Sequence, residues 1–232
     1  LSILEHLDEF RSRLVRIIIF YAFAVLVSYI YSEKIFQIIK GPIGTLIYIH
    51  PAELFIAKIK IALFTGIFIS FPYLLWHVYL YIKPAFEKLS AGFALFLFFL
   101  SALLFYSGIF AAFYLFLPVC LNFLAKFSDS GVSAAITVSN YLSFVFIFVV
   151  CFGVIFLSPA VLLLIIKSGF VSVSDLKKSR KYFYLGGFLT AALITPPDVF
   201  TQIALAVPLI ILFELSILIS SLSMYNKKKV IL

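Results

Sequence analysis

The polar residues that could do chemistry in this chain are few, and the most unusual is Glu214, which lies inside the apolar run from Ile203 to Ile219. A carboxylate within hydrocarbon costs about 2.5 to 3.5 kcal/mol on insertion scales, so it usually marks a function or a partner. The sequence leaves open whether Glu214 takes up a proton, reaches the interface, or meets a polar partner on another helix or subunit.

Asp198 and Gln202 begin the same apolar segment, one helical turn apart. Capping-box spacing from Thr195 explains Asp198, but it does not explain Gln202. On a helix Glu214 lies roughly 120° around from Gln202. Polar groups therefore occur at both ends of this segment without a continuous stripe, which disfavours a proton path along this helix alone.

A second polar group precedes the first apolar run. Glu5, Asp8 and Glu9 are followed by Arg11 and Arg13, and apolar residues recur between them at the spacing of an amphipathic cytoplasmic helix over 1–13. In one interpretation Asp8 pairs with Arg11 and Glu9 with Arg13, each pair contributing roughly a few tenths of a kcal/mol. In the other, the carboxylates await a guanidinium from another chain.

Motifs of other chemistries are missing from the sequence. It contains no GxSxG, HExxH, Walker A or GxGxxG sequence, and its histidines and cysteines lack metal-ligand spacing. We therefore expect no enzyme activity, no cofactor and no metal site. The net charge of +8 would suit nucleic acid, but the basic residues form short clusters between apolar segments, which indicates membrane topology instead.

The composition predicts the elements that must position these residues. Hydrophobic residues make up 64% of the chain and charged residues 12%, so a water-soluble fold would have no place for its apolar surface. We predict an all-α polytopic membrane protein, a single membrane domain over 1–232 surrounded by lipid. Six transmembrane helices are predicted at about 14–31, 54–79, 92–117, 141–166, 182–195 and 199–222, followed by a basic cytoplasmic tail over 223–232.

Basic residues predict the orientation. Most of them lie in segments that share a side with both termini, whereas Lys34, Lys40 and Lys126 lie on the other side. Because Lys and Arg are concentrated on the cytoplasmic side, we predict that both termini are cytoplasmic. Lys58 and Lys60 lie just inside the second span, where we expect them to reach the outer interface.

The fifth span is too short to cross an undistorted bilayer. Residues 182–195 would rise about 21 Å as a helix, against a hydrocarbon core of roughly 30 Å. Prolines predict bent helices and a curved wall; they are Pro72, Pro84, Pro118, Pro159 and Pro208. In the outer segment 32–53, isoleucines at helical spacing predict a short interfacial helix.

Motifs spread over nearly the whole chain resemble the TatC family, the C subunit of the twin-arginine protein translocase. They are His6-Leu7-Asp8-Glu9-Phe10-Arg11-Ser12-Arg13-Leu14, Lys83-Pro84-Ala85-Phe86, Phe152-Gly153-Val154-Ile155-Phe156 and Thr195-Pro196-Pro197-Asp198-Val199-Phe200-Thr201-Gln202, with Pro208 and Glu214 at the right spacing after them. The resemblance implies a concave, glove-like receptor with two short last helices in a bacterial-type cytoplasmic (inner) membrane.

The resemblance also implies a function, a core receptor subunit that binds twin-arginine signal peptides of folded precursor proteins on its cytoplasmic face. It would assemble with small single-span subunits of the A and B types, and with itself, to export these precursors, driven by the proton-motive force. The signal-peptide site is predicted at Glu9, Arg11, Arg13, Tyr81 and Glu87. Positions associated with partner subunits or the concave face are Asp198, Gln202 and Glu214.

Two positions depart from the family pattern. Ser90 stands where an acidic residue is usual, and Leu157 followed by Ser158 stands where a Glu is frequent. We hypothesise that Glu87, about one helical turn before Ser90, supplies the missing carboxylate.

The alternative function is a proton-coupled small-solute transporter that uses Glu214. The sequence shows no inverted repeat between its halves, and its polar stripe is interrupted. Both observations disfavour the transporter.

Overall fold

The computed structural model describes residues 3–41, 46–82, 90–125, 136–194 and 199–229. The described residues form an all-helical protein, as predicted. The helices are α1 (Ile3–Ile30), α2 (Ser32–Lys40), α3 (Ala52–Ile82), α4 (Ala91–Ala111), α5 (Leu117–Ala125), α6 (Val138–Phe156), α7 (Ser158–Lys167), α8 (Val173–Lys178), α9 (Arg180–Ile194) and α10 (Val199–Lys229), with a π-helical turn at Ala112–Phe116 between α4 and α5.

Within the described residues, five helical stretches are long and apolar enough to cross a membrane. They are Leu7–Ile30, Ala52–Tyr81, Gly92–Phe123, Val138–Lys167 and Val199–Ser221. The 15-residue helix α9 is not among them, which agrees with the short fifth span expected from the sequence.

The predicted surface helix and the first span form one uninterrupted helix, the 28-residue α1. No Gly or Pro occurs between Ile3 and Ile30, so nothing in the backbone forces a break. The N-terminal polar residues therefore project from the same rigid element that enters the membrane.

Prolines interrupt two of the predicted spans. Pro118 has no N–H to offer to the preceding turn, and just before it the Leu117 N–H donates to the Ala112 carbonyl, five residues back, as in a π-turn. The fourth span, predicted as continuous over 141–166, is instead divided at Leu157 into α6 and α7, with Pro159 in the first turn of α7. By contrast, α3 and α10 continue through Pro72 and Pro208.

One expectation about the last two helices was wrong. The 15-residue α9 is short, but α10 extends over 31 residues. Residues 223–229, predicted as a tail, continue this helix. The reason is that no Gly or Pro occurs after Pro208 to end it.

Contacts divide the chain into two compact units, residues 1–87 with 124–146 and residues 88–123 with 147–232. In the first unit α1 packs along α3. Gly66 permits this approach, because a Cβ at that position would lie 2.6 Å from Cγ2 of Val25. The Tyr21 hydroxyl also donates to the carbonyl oxygen of Leu63 at 3.2 Å. These contacts fix the register of the two helices.

The segment 32–53 contains the predicted short helix, α2. It contacts α3 through an ion pair in which Lys58 Nζ lies 3.1 Å from Glu33 Oε2. Further along, Ile47 forms an isolated parallel bridge with Thr137. This bridge joins the residues before α3 to those before α6 within the first unit.

In the second unit α4 and α6 approach each other at glycines. A Cβ at Gly108 would lie 2.8 Å from Phe156 Cβ, and a Cβ at Gly153 would lie 2.7 Å from Phe105 Cε2. Each glycine thus makes room for an aromatic residue of the other helix.

The short helix α8 connects the end of α7 to α9. It begins with a capping box in which Ser172 and Asp175 bond reciprocally. Hydrogen bonds from the Ser172 side chain and backbone lower the pKa of Asp175 from its ordinary value. Its buried residues Val173 and Leu176 join a cluster with Leu162, Phe213 and Ile217. This cluster holds α7, α8 and α10 together.

Candidate functional site

The N-terminal polar residues contain an ion pair within α1. Arg13 Nε donates to Glu9 Oε1 at 3.1 Å, and Arg13 Nη2 donates to the same oxygen. Both side chains are half-buried, whereas Arg11 is exposed. The sequence left internal and external pairing open for Glu9, and the structure shows the internal pair with Arg13.

An aromatic contact places the end of α3 beside this segment. The rings of Phe10 and Tyr81 lie 5.6 Å apart between centroids, a distance typical of interacting aromatic pairs. Because Phe10 follows Glu9 directly, Tyr81 lies next to the segment that carries the predicted carboxylate. Of the five residues predicted for this site, Glu87 lies outside the described residues.

Sequence reasoning missed the aromatic group beneath this surface. Tyr73 stacks on Phe20 at 4.5 Å between centroids and meets His77 edge-on at 4.5 Å. His77 is buried, and its Nδ1 has no hydrogen-bond partner among the described residues. Helical spacing of Tyr73 and His77 was the available signal, since residues four apart share a helix face. The group supports the contact between α1 and the second half of α3.

Glu214 has polar partners on α9 of the same chain. Arg180 Nη2 lies 2.7 Å from Glu214 Oε2, and the Tyr184 hydroxyl donates to Glu214 Oε1. Both carboxylate oxygens therefore accept a hydrogen bond, one of them charge-assisted. The second half of α10 is tied in this way to the start of α9.

Gln202 also bonds α10 to α9, at the other end of the hairpin that these two helices form. Its Nε2 donates to the Phe188 carbonyl oxygen at 3.1 Å. Twelve residues separate Gln202 from Glu214, or about 18 Å of helix, so the structure does not bring these two predicted residues together. Asp198 lies outside the described residues. The hairpin is thus bonded internally at two separate levels.

A polar network that the sequence did not indicate lies where α3 and α6 begin. The buried Glu53 carboxylate accepts hydrogen bonds from the backbone N–H of Ile49 at 2.9 Å and of Ser139 at 2.8 Å. Lys60 Nζ donates to the hydroxyls of Ser139 at 2.7 Å and Ser143 at 2.8 Å. Lys60 therefore has partners on α6, where the sequence had suggested only that it reaches the interface.

Among the described residues no group of three or more His, Cys, Asp or Glu could hold a metal ion. The polar arrangements described above are ion pairs and hydrogen bonds between neighbouring helices or within one helix.

Comparison with known proteins identifies the family of this chain. Residues 5–208 match the family model described as Sec-independent protein translocase protein (TatC). The TatC protein of Magnetococcus marinus is 35% identical over 93% of this chain and 82% of its own, and that of Aquifex aeolicus is 34% identical over 97% of both. A solved structure described as the twin-arginine translocase receptor TatC, in the detergent DDM, superposes with a TM-score of 0.85 at 34% identity, covering 92% of this chain and 98% of the solved one.

The chain belongs to the TatC family. It is therefore a subunit of a Sec-independent protein translocase and a multi-pass membrane protein. TatC proteins are translocase components and not enzymes, and membership implies a role alongside other subunits of the translocase. The family match does not support the alternative of a small-solute transporter.

The two departures from the TatC pattern have definite places in the structure. Ser90 is the N-cap of α4, and its hydroxyl accepts a hydrogen bond from the Phe93 N–H at 3.3 Å. Leu157 lies at the break between α6 and α7, and the neighbouring Ser158 hydroxyl is buried without a hydrogen-bond partner among the described residues. Ser90 thus caps the N-terminus of α4.

Proposed function

We propose that this TatC protein is the core receptor subunit of its translocase and binds twin-arginine signal peptides of folded precursor proteins. The observation that carries the proposal is the arrangement at the start of α1, where Glu9 lies next to the Phe10–Tyr81 contact. A carboxylate that pairs with a guanidinium in the free protein has the chemistry to pair with one supplied by a peptide. Arg11, Arg13 and Glu87 complete the proposed peptide site.

The proposed architecture is one membrane domain with six crossings, a glove-like concave wall and both termini in the cytoplasm of a bacterial-type cell. The short α9 is the extra crossing beyond the five long apolar stretches. Concentration of Lys and Arg in the segments on the side of the termini supports this orientation. The signal-peptide site then faces the compartment in which precursors fold.

We further propose that the hairpin of α9 and α10 receives the small single-span subunits of the A and B types. Its polar residues Gln202 and Glu214 bond inside the hairpin, which supports a role in holding the short helix in place for a partner helix. Asp198 belongs to the same proposed surface. The energy source in this proposal is the proton-motive force, and larger complexes contain several copies of the receptor.

Binding of synthetic peptides to the purified full chain tests the receptor proposal. A fluorescent peptide with Arg-Arg is expected to bind at least tenfold more tightly than the same peptide with Lys-Lys, measured by fluorescence anisotropy. Glu9→Gln is expected to reduce the affinity for the Arg-Arg peptide about 10- to 100-fold, because a charge-assisted hydrogen bond contributes about 1.5 to 3 kcal/mol.

Asp8→Asn is the matched control, since it removes the same charge from the neighbouring, exposed position. Its affinity for the Arg-Arg peptide is expected to stay within about twofold of the wild type, as for exposed charges. Equal effects of the two substitutions would show that general negative charge, and not Glu9, attracts the peptide. An Arg-Arg preference that survives Glu9→Gln would place the site elsewhere.

A further inference from the structure

The carboxylate proposed to receive a peptide arginine is already bonded to an arginine of its own helix. Arg13 Nε and Nη2 both reach Glu9 Oε1, with Nε at 3.1 Å. The side chains of Arg13 and Glu9 are 17% and 30% exposed, so solvent screens this pair less than a fully exposed one. The guanidinium edge that Arg13 presents is the same chemical group that a twin-arginine peptide would bring.

A guanidinium from a signal peptide therefore meets a Glu9 carboxylate that is already paired with Arg13. The Phe10–Tyr81 contact lies directly beside Glu9, so a peptide arginine that packs on these aromatic rings and pairs with Glu9 competes with Arg13 for the same carboxylate. Arg13 can leave Glu9 by a change of rotamer that turns its side chain to solvent, because the two residues lie four positions apart on the surface of one helix.

We propose that Arg13 is an internal, displaceable ligand of Glu9 that lowers the affinity of the receptor for signal peptides. The inference rests on the proposed function, in which Glu9 binds a signal-peptide arginine. Exchange of one guanidinium for another leaves the number of charge-assisted hydrogen bonds on Glu9 nearly unchanged. Arg13 in this way limits how long a peptide stays bound, which suits a receptor that must release its cargo.

Arg13→Gln in the full chain tests this proposal. Loss of the internal ligand is expected to raise the affinity for a fluorescent Arg-Arg peptide about two- to fivefold, the factor that corresponds to a helical ion pair of this exposure. Affinity for the Lys-Lys peptide rises by the same factor, because the displacement of Arg13 is common to both. Arg13→Lys is expected to lie between wild type and Arg13→Gln, since Lys pairs with Glu9 without the guanidinium fork.

Arg16→Gln is the matched control for charge. Arg16 lies on the same helix, and its Nη2 donates to the Ser12 hydroxyl at 2.9 Å. Seven residues of helix, about 10 Å, separate it from Glu9, which is about one Debye length at physiological salt. Removal of this charge is expected to change the affinity less than Arg13→Gln does. Equal changes would overturn the proposal in favour of general electrostatics.

A double substitution separates this inference from the proposed function. In a Glu9→Gln background, Arg13→Gln is expected to leave the peptide affinity unchanged, because the competing pair no longer exists. A fall in affinity for Arg13→Gln alone would overturn the inference by showing that Arg13 supports the peptide. By contrast, an unchanged affinity for Glu9→Gln alone would remove the proposed function itself.

Discussion

At the scale of single residues, Glu214 shows how a charge is accommodated in an apolar helix. Its two carboxylate oxygens accept bonds from Arg180 and Tyr184 of α9. The Arg180 side chain is 42% exposed and that of Glu214 28% exposed, so the carboxylate is the more enclosed partner of the pair.

Glu214→Gln is expected to lower the free energy of unfolding by about 1 to 3 kcal/mol, because the hydrogen bonds from Arg180 and Tyr184 lose the carboxylate that accepts them. The measurement is the midpoint of SDS-induced unfolding of the purified protein in mild detergent. Glu33→Gln is the matched control, since Glu33 also forms a single ion pair, but with side chains 46% and 64% exposed for Lys58 and Glu33. Its effect is expected to be at most about 0.5 kcal/mol.

The exchanged pair Arg180→Glu with Glu214→Arg adds a test of pairing. If the attraction between the two charges matters, the double variant recovers part of the stability that either single reversal loses. A double variant that is as unstable as the sum of the two single ones would show that burial of each side chain, and not their pairing, sets the stability.

Glu53 carries a separate prediction, because its carboxylate accepts backbone N–H groups from the starts of both α3 and α6. Glu53→Gln replaces one acceptor oxygen by an NH₂ group, which cannot accept from an N–H. We expect faster hydrogen exchange at Ile49 or Ser139, measured by mass spectrometry, and a loss of about 1 to 3 kcal/mol in unfolding free energy. Unchanged exchange at both amides would mean that water replaces the carboxylate.

At the scale of helices, the α4–α6 contact depends on residues without side chains. A Cβ at Gly108 would lie 2.8 Å from Phe156 Cβ and 2.9 Å from the Phe152 carbonyl oxygen, and a backbone atom cannot turn away. Gly108→Ala is therefore expected to destabilise the protein by about 1 to 3 kcal/mol, as other overpacked sites do. The SDS unfolding midpoint measures this.

The control for this substitution is in the same helix. At Gly92 an added Cβ meets nothing within 4 Å, so Gly92→Ala gains helix propensity without a clash and is expected to be neutral or stabilising by up to about 1 kcal/mol. Destabilisation by both substitutions to the same extent would contradict the close approach of α4 and α6.

The sequence predicted the helices better than their interruptions. Long apolar runs predicted helices where the structure has its five long apolar helical stretches, because hydrophobic length is a strong local signal. Pro118 and Pro159 marked two sites of disturbance, but the same missing N–H led to a π-turn at the first and a helix break at the second. The outcome depends on how neighbouring backbone groups find other partners, and this is not encoded in the proline alone.

The candidate site was predictable only in part for a related reason. The Glu9–Arg13 pair lies within one helix, so spacing in the sequence sufficed to propose it. The contact of Arg180 with Glu214 joins residues 34 positions apart, and it depends on the rotation of α9 against α10. Glu53 was missed because its acceptor role depends on where α6 begins. Such contacts between helices follow from packing, which local periodicity does not determine.

At the scale of the whole molecule, the number of crossings decides where the C-terminus lies. Five long apolar stretches would place the two termini on opposite sides, whereas a sixth crossing by α9 would return the C-terminus to the side of the N-terminus. Its 15 residues rise about 22 Å, less than a hydrocarbon core of roughly 30 Å, so this crossing requires local thinning of the bilayer. The basic residues Lys227, Lys228 and Lys229 favour six crossings, since they would otherwise lie on the outer side.

Cysteine accessibility in a bacterial host distinguishes the two topologies. With Cys120 and Cys151 replaced by Ala, single cysteines are introduced as Ser2→Cys, Ser130→Cys or Asn226→Cys, and intact cells are treated with a membrane-impermeant maleimide. We expect labelling of the variant at position 130 in intact cells, and of those at positions 2 and 226 only after permeabilisation. Labelling at 226 without permeabilisation, with position 2 still protected, would mean that α9 does not cross, because an odd number of crossings separates the termini. In that case α9 would stay on the cytoplasmic side, and α10 alone would carry the C-terminus to the outer side.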